Sequence, residues 1–212
     1  MNFAVEPDGD ADIEATLVRA SELGAEGGDY RVLGVLTTWL RVHAARVNAD
    51  RLIRMVSTHH SVRVRAYWSA VAAWQTKDRR LARLNRAYKG PRIDLLPVGT
   101  EFQISRRGED DRFRDSALRV PAGVLRDRES DVLTPVALVR LHAGYRNRVR
   151  IGPTWRADVW TALERDPGMR VADVARRVGC SFATAWQVTR DFALLRNVTF
   201  DERVRKAIPR AD

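Results

Sequence analysis

The chain has 212 residues, 45% of them hydrophobic, and a formal net charge of +10, so it holds enough apolar material for one ordinary domain or two small ones. It contains no run of about 18 apolar residues that could cross a bilayer, and its first residues lack the basic and apolar regions of a signal peptide. We therefore expect a cytoplasmic protein that does not enter a membrane. The single cysteine, Cys180, excludes an intramolecular disulfide and a cysteine cluster for zinc.

The N-terminal segment is acidic, whereas the rest of the chain is basic. Residues 1–30 hold eight acidic residues and one arginine, a sum of −7, so residues 31–212 carry +17. One helix is predicted around Ile13, Leu17 and Leu23, between stretches rich in glycine and acidic residues. Residues 1–29 are therefore predicted to be an acidic, partly flexible arm. It either folds over a basic face of the protein in competition with phosphate groups, docks a partner, or keeps the chain soluble.

Residues 30–150 are predicted to form a helical body. Apolar residues recur at helical spacing from Val32 to His43, from Asn48 to Val56, from Val62 to Gln75 and around Leu81 to Tyr88. Tyr67, Trp68, Val71 and Trp74 fall on the inner side of the third helix, which leaves Arg63 and Arg65 free. A plain bundle or dimerisation platform is the favoured interpretation, and a second, degenerate helix-turn-helix is the alternative.

A small β element and a long helix are predicted to complete this body. The β-like runs are Ile93–Leu96 and Glu101–Ser105. Thr134 and Pro135 form a strong helix start, with Thr as the cap and Pro at the first helical position. The inner stripe of this helix is expected to be Leu138, Leu141, Tyr145 and Val149. The predicted fold class is therefore mainly α with a small β element, and the domain boundary is placed between residues 150 and 151.

The segment from residue 151 to the end has the pattern of three short helices. The first is predicted around Trp155 to Leu163 and the second around Val171 to Val178, with Pro167-Gly168 between them. Gly179 stands where a helix end needs a residue that tolerates positive φ, and Ser181 stands where the next helix needs a capping side chain. The inward face of the third helix is predicted to be Ala185, Val188, Phe192 and Leu195.

The outward side of this third helix carries polar residues that could contact a nucleic acid. Thr184, Trp186, Gln187 and Arg190 are expected to point outward, and Gln and Arg can pair bidentately with adenine and guanine in the major groove. Ser181, Thr184, Arg176 and Arg177 suit phosphate oxygens, which fix register. After the helix, two strand-like runs around Asp201-Glu202 predict a β wing. The cations expected to lie along the DNA backbone there are Arg196, Arg203, Arg205 and Lys206.

The stretch Val174-Ala175-Arg176-Arg177-Val178-Gly179, followed by Ser181-x-x-Thr184-Ala185-x-Gln187, resembles the winged helix-turn-helix of bacterial transcription regulators and antitoxin-like DNA-binding proteins. The resemblance covers roughly the last quarter of the chain. It implies a helical N-terminal body joined to a C-terminal winged helix-turn-helix that binds double-stranded DNA. A homodimer is also expected, because paired half-sites multiply affinity. The implied function is sequence-specific transcription regulation or an autoregulating antitoxin.

Two alternative functions remain at this point. The chain could be a protein-interaction module that neutralises a toxin-like partner enzyme without reading DNA. Alternatively, Arg54 followed by His59 and His60 resembles the Arg-x4-6-His element of HEPN-type ribonucleases, in which His handles a ribose proton and Arg the phosphate charge.

No enzymatic activity and no cofactor are expected, because phosphate-binding glycine loops, paired-histidine metal motifs and a nucleophile elbow are missing from the sequence. The acidic run Glu109-Asp110-Asp111 lies among arginines and is interpreted as ion-paired surface, so no metal site is predicted.

Overall fold

A computed structural model of the protein describes residue 9 and residues 11–196, and these are mainly helical. The chain divides into two compact units, one formed by Ala11–Pro135 and the other containing the residues from Val136 onward. This division differs from the predicted boundaries at residues 29 and 150. Residues 11–29 belong to the first unit, and residues 136–150 belong to the second.

The first unit contains five α-helices, a two-stranded sheet and several short turns of other helix types. The helices are α1 (Ile13–Ser21), α2 (Tyr30–His43), α3 (Ala49–Ser57), α4 (Val62–Trp74) and α5 (Thr100–Arg107). A π-helical turn covers Glu22–Glu26, and 3-10 segments cover Ala44–Arg46, Arg79–Arg86 and Glu129–Asp131. The strands are β1 (Ile93–Asp94) and β2 (Leu118–Arg119).

Side-chain caps fix where the first four helices begin. Asp12, Asp29, Asn48 and Ser61 each accept a hydrogen bond from the backbone N–H three residues later. Each cap satisfies an N–H group that would otherwise lack a helical partner. The starts of α2, α3 and α4 therefore agree with the boundaries predicted from the sequence.

Helix α4 is the central helix of the first unit. Tyr67 and Trp68 are fully buried in it, the Trp68 indole N–H donates to Ser21 Oγ over 3.0 Å, and the Tyr67 and Thr37 hydroxyls lie 3.2 Å apart. Burial raises the pKa of the Tyr67 phenol. Since α4 has little accessible surface, it lacks the exposed face that a DNA-reading helix needs, which favours the helical-bundle interpretation over a second helix-turn-helix.

Two predictions for the first unit are corrected by its packing. Helix α1 is part of the core: Leu17 and Val18 are buried, and the fully buried Glu14 accepts a hydrogen bond from Asn48 N over 2.9 Å. Arg63 is not free, because its guanidinium donates to backbone oxygens of Ala25 in the π-helical turn, of Asp94 in β1 and of Leu95 directly after β1.

The β element is smaller than predicted. Strand β1 pairs in parallel with β2, with Ile93 opposite Leu118 and Asp94 opposite Arg119. The predicted strand at residues 101–105 is wrong, because these residues form α5. Glycines with positive φ stand at both ends of α5, Gly99 at 81° and Gly108 at 78°, and Phe102 is 59% exposed. The apparent alternation of this run therefore does not correspond to one buried face.

The second unit contains α6 (Pro135–Leu141, whose first residue ends the first unit), α7 (Ala143–Ile151), α8 (Trp155–Arg165), α9 (Val171–Val178) and α10 (Phe182–Leu195). The predicted helix start at Pro135 is confirmed. The predicted continuous helix beyond it is wrong, because the chain breaks at His142, whose Nδ1 accepts a hydrogen bond from Tyr145 N over 2.9 Å. Of the predicted inner stripe only Tyr145 is buried, whereas Leu141 and Val149 are exposed.

Helix α7 packs against α8 through buried polar contacts. Arg148 Nε and a terminal guanidinium nitrogen donate to Asp158 Oδ1 over 2.9 and 2.7 Å, and Asn147 donates to Thr161 Oγ1 over 3.0 Å. These contacts explain why residues 143–151 belong with the C-terminal helices and not with the preceding body.

Candidate nucleic-acid interface

Helices α8, α9 and α10 pack around one apolar core and form a three-helix unit. Trp160 of α8 meets Phe192 of α10 edge to face, with ring centroids 4.9 Å apart. Arg156 of α8 is ion-paired with Asp191 of α10 over 2.6 Å. The buried residues of this core come from all three helices: Val159, Ala162, Leu163, Val171, Val174, Ala175, Val178, Ala185, Val188 and Phe192.

The turn between α9 and α10 has the geometry that the sequence predicts. Gly179 adopts φ 78° and ψ 29°, and its N–H donates to Ala175 O over 2.8 Å. Ser181 Oγ accepts a hydrogen bond from Thr184 N over 3.1 Å and so caps α10. Cys180 is half-buried and packs against the core. Both ends of the turn are therefore fixed by specific residues, which sets the angle at which α10 leaves α9.

The exposed face of α10 consists of Ala183, Gln187, Arg190 and Leu194, which recur at helical spacing and are all exposed. Gln187 and Arg190 lie outward, as predicted. From Ala183 to Arg190 the face spans about 10 Å along the helix axis, at 1.5 Å per residue. This helix therefore carries an accessible face on the side opposite the core, and its members Ala183, Gln187 and Arg190 lie within about two helical turns.

Two of the predicted outward residues of α10 are only partly accessible. Trp186 is half-buried and packs against the three-helix core, and the Arg190 guanidinium lies 5.9 Å from the centre of its ring. Thr184 is half-buried, and its hydroxyl lies 2.8 Å from Ser181 Oγ. Trp186 therefore supports Arg190 from the side, because a guanidinium is attracted to the face of an indole ring, and Thr184 belongs to the cap.

The inward face of α10 also needs one correction. Leu195, predicted to face the core, is 73% exposed, and Ala193 is buried in its stead. Leu195 is the last residue of α10, where helical spacing alone does not determine whether a side chain is covered. Phe182 and Ala183 at the start of α10 were not predicted as site residues. Counting back four residues from Gln187 would have placed Ala183 on the exposed face.

Two arginines of α9 differ in how they are held. Arg176 and Arg170 both bind Asp173, with nitrogen–oxygen distances of 2.9 and 2.7 Å. The hydrogen bond from Arg170, with the charges of both arginines, holds the pKa of Asp173 below its usual range. Arg177 is exposed and forms no ion pair within the described part of the chain. Arg177 is therefore the α9 cation that can engage an anion without first breaking an ion pair.

The predicted wing lies outside the described residues, and with it Arg203, Arg205 and Lys206. Arg196 is the last residue that the structure describes, and its guanidinium lies 5.3 Å from the Phe192 ring centre.

The remaining candidate sites of the sequence lie in the first unit. His59 stacks on His60 with ring centroids 4.6 Å apart, and its Nδ1 accepts a hydrogen bond from Ser61 N, while Arg54 is exposed. Glu109, Asp110 and Asp111 are each ion-paired with a nearby arginine, as their sequence context indicates. Among residues 9 and 11–196, no three His, Cys, Asp or Glu side chains are placed so that together they could hold a metal ion.

Comparison of the chain with family models, with curated proteins and with solved structures found no match. Within the described residues, no helix combines the length and the apolar character needed to cross a membrane.

Proposed function

We propose that the protein binds double-stranded DNA through α10 and recognises base sequence there, as a transcription regulator or an autoregulating antitoxin does. The observation that carries this proposal is the exposed face of Ala183, Gln187 and Arg190, on a helix whose opposite side is packed into the three-helix core. A single α-helix fits the major groove of B-DNA, and the residues near its N-terminus then reach the base edges.

The chemistry and the spacing of these side chains suit base recognition. Gln187 can donate to and accept from adenine, and Arg190 can donate two hydrogen bonds to guanine. The distance from Ala183 to Arg190, about 10 Å at 1.5 Å per residue, equals the rise of about three base pairs. The Trp186 ring beside Arg190 restricts the arginine side chain before binding, which lowers the entropy lost on contact.

The contacts that hold α10 in the groove would come from the surrounding cations and the cap. Arg177 and Arg176 on α9, with Ser181 at the start of α10, are assigned to phosphate oxygens, which position the helix without specifying sequence. In this proposal Arg203, Arg205 and Lys206, which lie outside the described residues, also contact the DNA backbone. A homodimer bound to two half-sites would multiply the affinity of each three-helix unit.

The experiment is selection of binding sequences from a random duplex library, followed by measurement of dissociation constants. The wild-type protein should enrich one motif and bind it at least about 10³-fold more tightly than random duplex. Gln187→Ala/Arg190→Ala should lose most of this preference. The matched control is Asn85→Ala/Arg83→Ala, which removes an exposed amide and an exposed guanidinium from the first unit and should bind as wild type. Failure to enrich any motif would overturn the proposal.

A further inference from the structure

The first turn of α10 is apolar on its accessible side. Phe182 is the first residue of the helix and is 40% exposed, and the next residue, Ala183, is exposed as well. They are the first two residues after the cap Ser181, at the end of the helix that a major-groove contact would insert most deeply. An accessible phenyl ring and methyl group at this position contribute nothing to phosphate binding, since they have no hydrogen-bond donor.

The next two residues of the exposed face, Gln187 and Arg190, are polar, which limits what the apolar turn could contact. Gln187 lies four residues after Ala183, about 6 Å along the axis at 1.5 Å per residue. That separation corresponds to about two base pairs. Among the four bases, thymine alone carries a methyl group in the major groove, and alanine and phenylalanine are side chains that contact it.

We propose, on the basis of the DNA-binding function proposed above, that Phe182 and Ala183 recognise the C5-methyl group of a thymine. This thymine lies about two base pairs from the base contacted by Gln187. The preferred binding site therefore contains an A·T pair that contributes to the binding affinity through apolar contact and not through hydrogen bonding. Phe182 is the specificity-determining residue at that pair, and Ala183 supports it.

The test removes the methyl group and nothing else. In the selected duplex, each thymine is replaced in turn by deoxyuridine, which has the same hydrogen-bonding groups. Wild-type protein should lose about fourfold in affinity at one thymine, the effect of one buried methyl group. Phe182→Ala should bind the parent duplex more weakly and should no longer distinguish thymine from uracil there. Phe182→Leu, which keeps an apolar side chain, should retain the distinction.

Leu194 provides the matched control on the same helix. It is 64% exposed and shares the exposed face with Ala183, but it lies at the other end of α10. Leu194→Ala removes a comparable accessible apolar side chain and should keep the full thymine-to-uracil effect. Because Phe182 and Leu194 are both exposed, both variants should fold, which equal thermal midpoints would verify.

The possible results separate this inference from the function on which it rests. If the wild-type protein binds the selected duplex with unchanged affinity after every thymine replacement, the methyl contact is refuted while sequence-specific binding stands. If Phe182→Ala keeps the uracil effect in full, Phe182 is not the residue responsible and the inference is likewise refuted. If no duplex sequence is preferred at all, both the inference and the proposed function are refuted.

Discussion

At the scale of single residues, a buried ion pair between Arg148 and Asp158 joins α7 to α8. The side chains are 2% and 7% exposed, and the guanidinium donates two hydrogen bonds to one carboxylate oxygen, Asp158 Oδ1. Removing one member would leave an uncompensated charge in the interior. We therefore expect Arg148→Met to lower the free energy of unfolding by about 3–5 kcal/mol in urea denaturation.

A matched control for this prediction is the exposed pair of Arg83 with Asp50, whose side chains are 68% and 66% exposed. Arg83→Met should cost less than about 1 kcal/mol, because solvent screens such a pair. Replacing both buried partners with apolar residues, as in Arg148→Met/Asp158→Leu, should recover most of the loss. If Arg148→Met and Arg83→Met have equal effects, the buried pair does not stabilise the packing of α7 on α8.

His43 gives the first unit a dependence on pH. Its side chain is buried, with Nε2 3.0 Å from Leu133 O, and burial lowers its pKa from the ordinary value of 6.5. The unfolded chain therefore binds a proton at this residue at higher pH than the folded chain does. The free energy of unfolding should fall as the pH drops below 6.5 and continue to fall down to the pKa of the folded state.

The measurement is urea unfolding followed across this pH range in the wild type and in two variants. His43→Gln should show a shallower loss of stability on acidification, because the titrating group is gone. A second variant, Ser57→Gln, changes an exposed residue that does not titrate and should keep the wild-type slope. A slope unchanged by His43→Gln would assign the pH dependence to other groups.

At the scale of elements, the turn between α9 and α10 decides how the exposed face of α10 is oriented. Gly179 has φ 78°, a conformation that costs a residue with a Cβ about 1–2 kcal/mol. Gly179→Ala should therefore destabilise the protein by that amount, measured by thermal or urea unfolding. Gly179→Asn should cost less, because asparagine tolerates left-handed backbone. Equal effects of the two substitutions would mean that the backbone of this turn is not the source of the loss.

The same elements show how far the sequence could predict the structure. Gly179 and Ser181 act locally, so their roles follow from the sequence alone. Gly179 allows the backbone a positive φ, and the Ser181 hydroxyl accepts a hydrogen bond from the backbone N–H three residues later. The exposure of Leu195 does not follow in this way, because the burial of the last residue of a helix depends on tertiary packing and not on helical spacing alone. Strand β2 was not predicted either, because its two residues are too few to show an alternation of their own, whereas the equally short β1 falls within the predicted run Ile93–Leu96.

The candidate site was likewise predictable only where the local sequence pattern determines which side chains are exposed. Gln187 and Arg190 follow from helical spacing and lie as expected. The half-burial of Trp186 does not follow, because it depends on packing between helices. The Asp158 partner of Arg148 was also beyond the sequence, since Gly152 and Pro153 separate the two residues and only the fold brings them together.

At the scale of the whole molecule, the net charge of +10 should make DNA affinity strongly dependent on salt. If six to eight phosphates are contacted, the logarithm of the association constant should fall with the logarithm of salt concentration with a slope of roughly −5 to −7. Arg177→Ala should reduce this slope by about 0.9 while leaving base preference unchanged. Arg83→Ala, in the first unit, should leave the slope as it is. Identical slopes for wild type and Arg177→Ala would remove Arg177 from the phosphate contacts.

The central claim, that the exposed face of α10 recognises bases, is tested most directly by measuring Gln187→Ala and Arg190→Ala separately. Dissociation constants would be determined for the selected duplex, for every single base-pair substitution of it, and for random duplex. Each variant should lose about 1–3 kcal/mol on the selected duplex and lose its discrimination at one base pair only, with little change on random duplex. Equal losses on selected and random duplexes would contradict the claim.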